Sequence, residues 1–445
     1  MKQFLLNNKN IEKNSVIWNM AGSLLMAIQS VIFLMVLTRV TGLNSAGVFT
    51  IAYANANLFL TISNFGMRYY QVSDLKHVFE FNIYKKSRIV TWFISMLAVI
   101  IYLFIVQKGS EYTSEKLQIT FWMCFFKSVD AAEDVYHGRY QQQGRLDVAG
   151  RCLTVRMVAT IMFFVAVVIM SKNLLTATFL TAIFTSIICI SLLFMTFPEF
   201  SDGSDCRIPE NVSDRDCIND VKRVNIRNDR HGVLKLLMNC LPLFVGSFFS
   251  FYIGNASKYA IDAELNSKAE ACFGFIAMPV FVVGLLNGFI FNPVIYKLSV
   301  MWKERNISGF FKRIAIQILI VIMITFICVI GAWMIGIPVL SWLYSTDLHI
   351  YKNELIILLI GGGLLGLAGL LNTVLTIIRF QQSVAVGYGI VALLAFVFSD
   401  SVVRKYNIKG AAWLYTGLMA FTCILFLLFL VIGVHIRLSS DERTD

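Results

Sequence analysis

The stretch GRYQQQGR, Gly138–Arg145, closes one long apolar run, and IRFQQSVA, Ile378–Ala385, closes another. Arg139-Tyr140-Gln141-Gln142 and Arg379-Phe380-Gln381-Gln382 match at an offset of 240 residues. Two further echoes keep the same order. Leu43-Asn44-Ser45 is matched by Leu265-Asn266-Ser267 at an offset of 222, each just after an apolar run. Tyr84-Lys85-Lys86 and Phe311-Lys312-Arg313 each stand just before one. A single short match is chance, but three at equivalent places predict a parallel repeat of two helical lobes, as many transporters are built.

Working outward, 57% of the 445 residues are hydrophobic, 15% are charged, and the mean hydropathy is +0.71. That is too little charge to cover a soluble protein of this size, so the class is an integral membrane protein. A helix needs about 20 apolar residues to cross a bilayer. That length gives twelve spans, at 16–38, 46–66, 89–107, 117–137, 152–171, 174–196, 233–256, 271–296, 314–336, 354–378, 384–403 and 411–434. The expected fold is an all-α polytopic membrane protein with twelve transmembrane helices in two pseudo-repeated six-helix lobes. The expected divisions are a tail at 1–14, an N-terminal lobe at 15–198, a charged linker at 199–231, a C-terminal lobe at 232–435 and a tail at 436–445.

Lys and Arg give the orientation, because they collect on the cytoplasmic side. One alternate set of loops together with both tails holds 26 of them, and the opposite set holds ten. Both termini are therefore expected in the cytoplasm, in a bacterial inner membrane. The net charge of +11 is a topology signal, and no nucleic-acid partner is expected. The first run, 16–37, is too long for a signal-peptide core and lacks a small-residue cleavage site, so it is expected to remain as a helix. Nine scattered cysteines without a CxxC predict neither disulfides nor a metal site, and no cofactor is expected.

Twelve spans in two halves, the basic connection Gly138–Arg145 after span four, and Gly66-Met67-Arg68 at the end of span two resemble the polysaccharide-biosynthesis flippases. These are the O-antigen, capsule and teichoic-type exporters of the MOP superfamily, which also holds the MATE drug exporters and the peptidoglycan-precursor flippases. The latter typically carry fourteen spans, so the resemblance lies with the polysaccharide branch. It implies a MATE-like fold, no enzymatic activity, and movement of an undecaprenyl-diphosphate-linked oligosaccharide from the inner to the outer leaflet by alternating access. The implied partners are the bilayer, the lipid-linked glycan, and polysaccharide polymerase or export machinery.

Carrying a diphosphate through hydrocarbon calls for cations inside or near the spans, and such residues are functional candidates by default. On span four, Lys127, Asp130, Asp134 and His137 share a sector of about 80°, with Glu133 beside it. Lys127 either lines a cavity or pairs internally with Asp130. Asp130 and Asp134 are candidates for an exchanged ion. Arg39 and Lys258, at equivalent outer ends of spans one and seven, either receive the diphosphate or snorkel. Arg68 at the inner end of span two and Arg156 in span five are further cationic candidates. Pro242, Pro279 and Pro293 place bending in spans seven and eight, whereas Gly362 and Gly366 in the glycine-rich span ten predict close packing. The segment 69–88 mixes aromatic and basic residues and suits a helix lying on an anionic leaflet. Asp214-Arg215-Asp216 is expected to be linker only.

Two competing functions stand beside the flippase. A cation-coupled multidrug exporter would be expected to carry acids in spans one or seven, where this sequence has Asn19, Gln29, Asn239 and Asn255. A membrane oligosaccharide polymerase or ligase needs a large external loop, and the longest loop here is assigned to the inside.

Overall fold

The computed structural model describes residues 1–74, 78–109, 112–201, 229–378 and 380–441. In chain order the helices are α1 (Lys2–Leu5), α2 (Ile11–Val40), α3 (Leu43–Asn64), α4 (Met67–Ser73), α5 (Phe81–Gly109) and α6 (Ser114–Gln142). Next come α7 (Leu146–Ser171), α8 (Leu174–Thr196) and α9 (Pro198–Ser201). The second half holds α10 (Asp229–Glu264), α11 (Ser267–Lys303), α12 (Ile307–Gly331), α13 (Ile337–Tyr344), α14 (Lys352–Ile377) and α15 (Gln381–Asp441). A π-helical turn, Ala332–Gly336, joins α12 to α13. Arg379, Lys76 and Asp214-Arg215-Asp216 lie outside the described residues.

Among the described residues, ten helical runs are long and apolar enough to cross a membrane. One of them, Gln382–Ile436, spans 55 residues and contains two helices that meet at Asn407, whose φ of 52° and ψ of −139° break the helical ladder. Charge keeps α6 out of the ten, but its 29 residues reach about 44 Å, past the roughly 30 Å hydrocarbon core. With α6 and the division of α15, the expected twelve spans are accounted for. The outward faces carry the large apolar side chains, such as Phe93, Phe104, Phe326 and Phe396, all more than half exposed. Thr, Ser and charged groups are buried alongside the apolar core. Large apolar side chains turned outward along helices of spanning length fit a lipid solvent, and the chain is a multi-pass membrane protein.

The chain packs as two compact units. One is Met1–Phe33 with Asn55–Phe244, and the other is Leu34–Ala54 with Val245–Asp445. In the first unit α6 packs against α4, α5, α7 and α8. Leu5 of α1 is wholly buried in a cluster with Tyr140, Val148, Cys152 and Phe200. Arg151 holds that terminal turn by donating from Nη1 to the carbonyls of Phe4 and Leu5, both at 3.0 Å, and of Asn7 at 3.2 Å.

In the second unit α14 packs against α11, α12 and α15. Its glycines let that happen. A Cβ on Gly361 would meet Tyr415, one on Gly362 would meet Val280, and one on Gly363 would meet Thr325. Gly366 is buried on the same helix. The two echoes Leu43-Asn44-Ser45 and Leu265-Asn266-Ser267 open α3 and α11, which pack along each other here. A Cβ on Gly47 would run into the backbone carbonyl of Ser267, and one on Gly274 would meet Thr50.

Two local expectations are corrected. Residues 69–88 do not form one surface helix: α4 ends at Ser73, and α5 already begins at Phe81. Asp74 explains the turn, since it accepts from Val78 N at 2.9 Å, Phe79 N at 3.1 Å and the Tyr84 hydroxyl at 3.0 Å. The helices also outrun the sequence-based span limits. α10 continues to Glu264 and α11 starts three residues later, because Asn266 caps it through Ala269 N. Both α10 and α11 continue through their prolines, Pro242 in one and Pro279 and Pro293 in the other.

Candidate functional site

The stretch Gly138–Arg145 is the C-terminal turn of α6 and its cap. Gly144, at φ 73°, takes the left-handed conformation that ends the helix. Its N–H donates to Gln141 O at 3.0 Å, and Arg145 N donates to Tyr140 O at 2.8 Å, so the last carbonyls are satisfied. Each side chain upstream then reaches a different element. The Tyr140 hydroxyl meets Thr196 Oγ1 at 2.8 Å, and Gln142 donates to Gln71 O at 2.7 Å. Arg145 binds Asp147 at 2.9 Å and Asn8 at 2.6 Å. Gly138 is bare because a Cβ there would strike the Gln71 amide.

One turn deeper lies a network of ionised side chains. Lys127 Nζ is 3.2 Å from Asp130 Oδ2 and 3.2 Å from Gln29 Oε1 of α2. Arg156 of α7 reaches the same Asp130 at 2.8 Å and Glu133 Oε2 at 2.5 Å. His137 Nε2 lies 3.2 Å from Glu133 Oε1. Lys127, Glu133 and Arg156 are each no more than 2% exposed. Removing such ions from water costs several kcal/mol each, so the arrangement stands only because every carboxylate faces a cation. Three nitrogens are left over: Arg156 Nη1, Gln29 Nε2 and His137 Nε2 make no hydrogen bond among the described residues.

Asp134 turns the other way along α6. Its carboxylate bridges Arg68 Nη1 at 2.8 Å and Arg88 Nη2 at 3.0 Å. Arg68 also donates to Gln141 at 3.1 Å, and Arg88 donates to Ser63 O at 2.5 Å. This branch is the more open one, with side-chain exposures of 27% for Arg68 and 20% for Asp134. The two branches together bring four cations, Arg68, Arg88, Lys127 and Arg156, to three carboxylates, Asp130, Glu133 and Asp134.

The other candidates lie in the second unit. Arg39 is exposed, donates to Trp342 O at 2.8 Å, and stacks its guanidinium 5.7 Å from the Trp342 ring. Lys258 feels the charge of Glu270, an acid 1% exposed in the first turn of α11. Their partners differ. Arg88, Glu270 and Gln29 hold partners of these candidates without having stood out as sites themselves. Arg88 lies in a basic run that reads as loop decoration, Glu270 lies beyond the apparent start of its span, and a lone Gln carries no signal of its neighbour.

The chain covers its structural relatives nearly end to end. An inward-facing multidrug-resistance MATE family transporter of the MOP superfamily aligns at 16% identity with a TM-score of 0.56, covering 94% of this chain and 96% of that one. This chain shares the fold of that transporter. An outward-facing MATE family transporter of the same superfamily gives 15% identity and a TM-score of 0.54 over 100% and 99% of the two chains. A MOP superfamily transporter from Pyrococcus furiosus, for which a reversed binding-pocket polarity suggests a different function, gives 14% identity and a TM-score of 0.50 over 98% and 97%. No family model and no curated protein matches the sequence. At these identities the MOP likeness establishes the fold alone.

Proposed function

We propose that this protein is a transporter that moves an undecaprenyl-diphosphate-linked oligosaccharide from the inner to the outer leaflet of a bacterial inner membrane. The observation that carries the reading is the excess of cationic donors among the first unit's spanning helices, with Arg156 Nη1 and Gln29 Nε2 left without acceptors beside Lys127. A diphosphate supplies acceptors of the right kind, and the planar fork of Arg matches phosphate oxygens in pairs. The half-open Arg68–Asp134 pair is the first contact, where phosphate exchanges for carboxylate. Lys127 and Arg156 then hold the charge deeper in, and Arg39 and Lys258 serve on the opposite side. Asp130 and Asp134 take up whatever ion is exchanged, bending at Pro242, Pro279 and Pro293 accompanies the change of access, and Gly362 and Gly366 keep their helices packed. Polysaccharide polymerase and export machinery are the fitting partners, and both termini lie in the cytoplasm. Moving two negative charges outward down an inside-negative potential of about 100 mV releases roughly 4–5 kcal/mol.

The second reading is a cation-coupled multidrug exporter. It is favoured by the buried carboxylate Glu270, which suits a proton or Na⁺. A strain lacking its own polysaccharide flippase separates the two. Restored surface glycan supports the flippase, whereas unchanged glycan with raised resistance to cationic drugs replaces it with the exporter.

A further inference from the structure

On the exposed side of the first unit, α5 and α6 leave a groove of about 260 Å³ between them. One stripe of α5 supplies Lys85, Arg88, Ile89, Trp92 and Phe93, and one stripe of α6 supplies Ala132, Val135 and Tyr136. The spacings of three and four residues put each set on one helix face. The groove opens because Ala132 is small. Trp92 is fixed as a wall by donating from Nε1 to Ser128 Oγ at 3.0 Å.

The polar atoms of the groove are cationic. Lys85 is exposed and makes no ion pair among the described residues. Arg88 is 3% exposed and uses its two terminal nitrogens on Ser63 and Asp134, but its Nε is buried with no acceptor among the described residues. A buried donor left without a partner is costly, so an acceptor is expected to complete it. No carboxylate lines the groove. It therefore suits a net negative headgroup better than a zwitterion, whose cation would find no partner.

Away from the cations the surface becomes wholly apolar. Ile89, Phe93, Leu97, Ile100 and Phe104 continue the stripe along α5, each about half exposed or more. From Ile89 to Phe104 the stripe runs about 22 Å. That exceeds one leaflet's share, about 15 Å, of the hydrocarbon core. A hydrocarbon chain hung from the groove thus stays against α5 through its whole leaflet.

We propose that this groove binds an anionic glycerophospholipid of the inner leaflet. The phosphate lies at Lys85 and Arg88, and an acyl chain follows Ile89, Phe93 and Leu97. The leaflet follows from the Lys and Arg bias of the loops, which assigns the start of α5 to the inside, where anionic headgroups and basic side chains meet. Because Arg88 also holds Asp134, the bound lipid is one side chain from the Arg68–Asp134 pair. The lipid site stands whichever substrate the transporter carries.

Native mass spectrometry of the full-length protein in neutral detergent tests this, with phosphatidylglycerol and phosphatidylcholine of matched chains as probes. Wild type is expected to retain phosphatidylglycerol at least tenfold better than phosphatidylcholine. Lys85→Glu, which reverses an exposed charge, and Ala132→Phe, which fills the groove, are each expected to cut phosphatidylglycerol retention at least fivefold. Lys9→Glu, the same charge change elsewhere, is expected to leave it unaltered. Equal retention of the two lipids by wild type, or unchanged phosphatidylglycerol on Lys85→Glu, would overturn the proposal. So would full displacement by an equal concentration of inorganic phosphate, or retention of a polyprenyl phosphate with exclusion of phosphatidylglycerol.

Discussion

Arg156 Nε lies 2.5 Å from Glu133 Oε2, and the two side chains, on neighbouring helices, are 1% and 3% exposed. Neither charge has access to water, so each depends on buried partners, Arg156 on Asp130 as well and Glu133 on His137 as well. Truncating one partner of such a pair costs about 3–5 kcal/mol, mostly because the other is left buried and uncompensated. Arg156→Leu is expected to lower thermal stability in detergent by that amount. The double variant Arg156→Leu with Glu133→Leu is expected to be more stable than the single one. A double-mutant cycle of thermal unfolding measures the coupling, and additive losses would refute it.

Arg68 differs from Arg156 in being half-open and in holding two acceptors at once, Asp134 and Gln141. A lysine keeps the charge but offers no planar fork. Arg68→Lys is therefore expected to slow transport about tenfold, the equivalent of about 1.4 kcal/mol, while leaving stability nearly unchanged. Initial rates in proteoliposomes at matched protein content check this, and a lysine variant as fast as wild type would remove Arg68 from the site.

Gly47 has a backbone neighbour, the Ser267 carbonyl, where a Cβ would sit, whereas Gly369 has open space. Backbone cannot step aside as a side chain can. Gly47→Ala is expected to destabilise by about 1–3 kcal/mol. Gly369→Ala is expected to be neutral or slightly stabilising, because alanine is the better helix former by about 1 kcal/mol. Thermal unfolding of the two variants side by side distinguishes them.

The terminal turn is anchored by the fully buried Leu5 and by the grip of Arg151 on three carbonyls. Leu5→Ala is expected to weaken that docking by about 2–5 kcal/mol. Limited proteolysis after Lys9 and Lys13 should then speed up more than tenfold, while cleavage elsewhere is unaffected. Equal cleavage rates would show that the turn is not held by Leu5.

The fold was largely legible because membrane helices announce themselves by length and hydropathy, and because the two echoes at Leu43 and Leu265 mark equivalent helix starts. Even α6, too charged for a hydropathy threshold, was readable from the Phe and Trp residues around Lys127. The site was legible only as far as one helix reaches. Lys127, Asp130 and Asp134 could be placed on a common sector, but their partners Arg156, Gln29 and Arg88 come from three other helices, and no spacing in the sequence encodes that convergence. The split of the sector was equally hidden. Asp130 serves the buried branch and Asp134 the open one because α7 and α5 flank α6 on different sides. The segment 69–88 was misread because Asp74 turns the chain through backbone hydrogen bonds that composition does not reveal.

Transport of a fluorescent polyprenyl-diphosphate oligosaccharide across proteoliposomes, with and without an inside-negative potential, tests the central claim most directly. Wild type is expected to move the lipid outward faster with the potential imposed, and Lys127→Ala, reconstituted at equal folded content, is expected to move it at least tenfold more slowly. Wild-type vesicles that leave the lipid where it was, yet exchange a cationic drug for protons or Na⁺, would contradict the account.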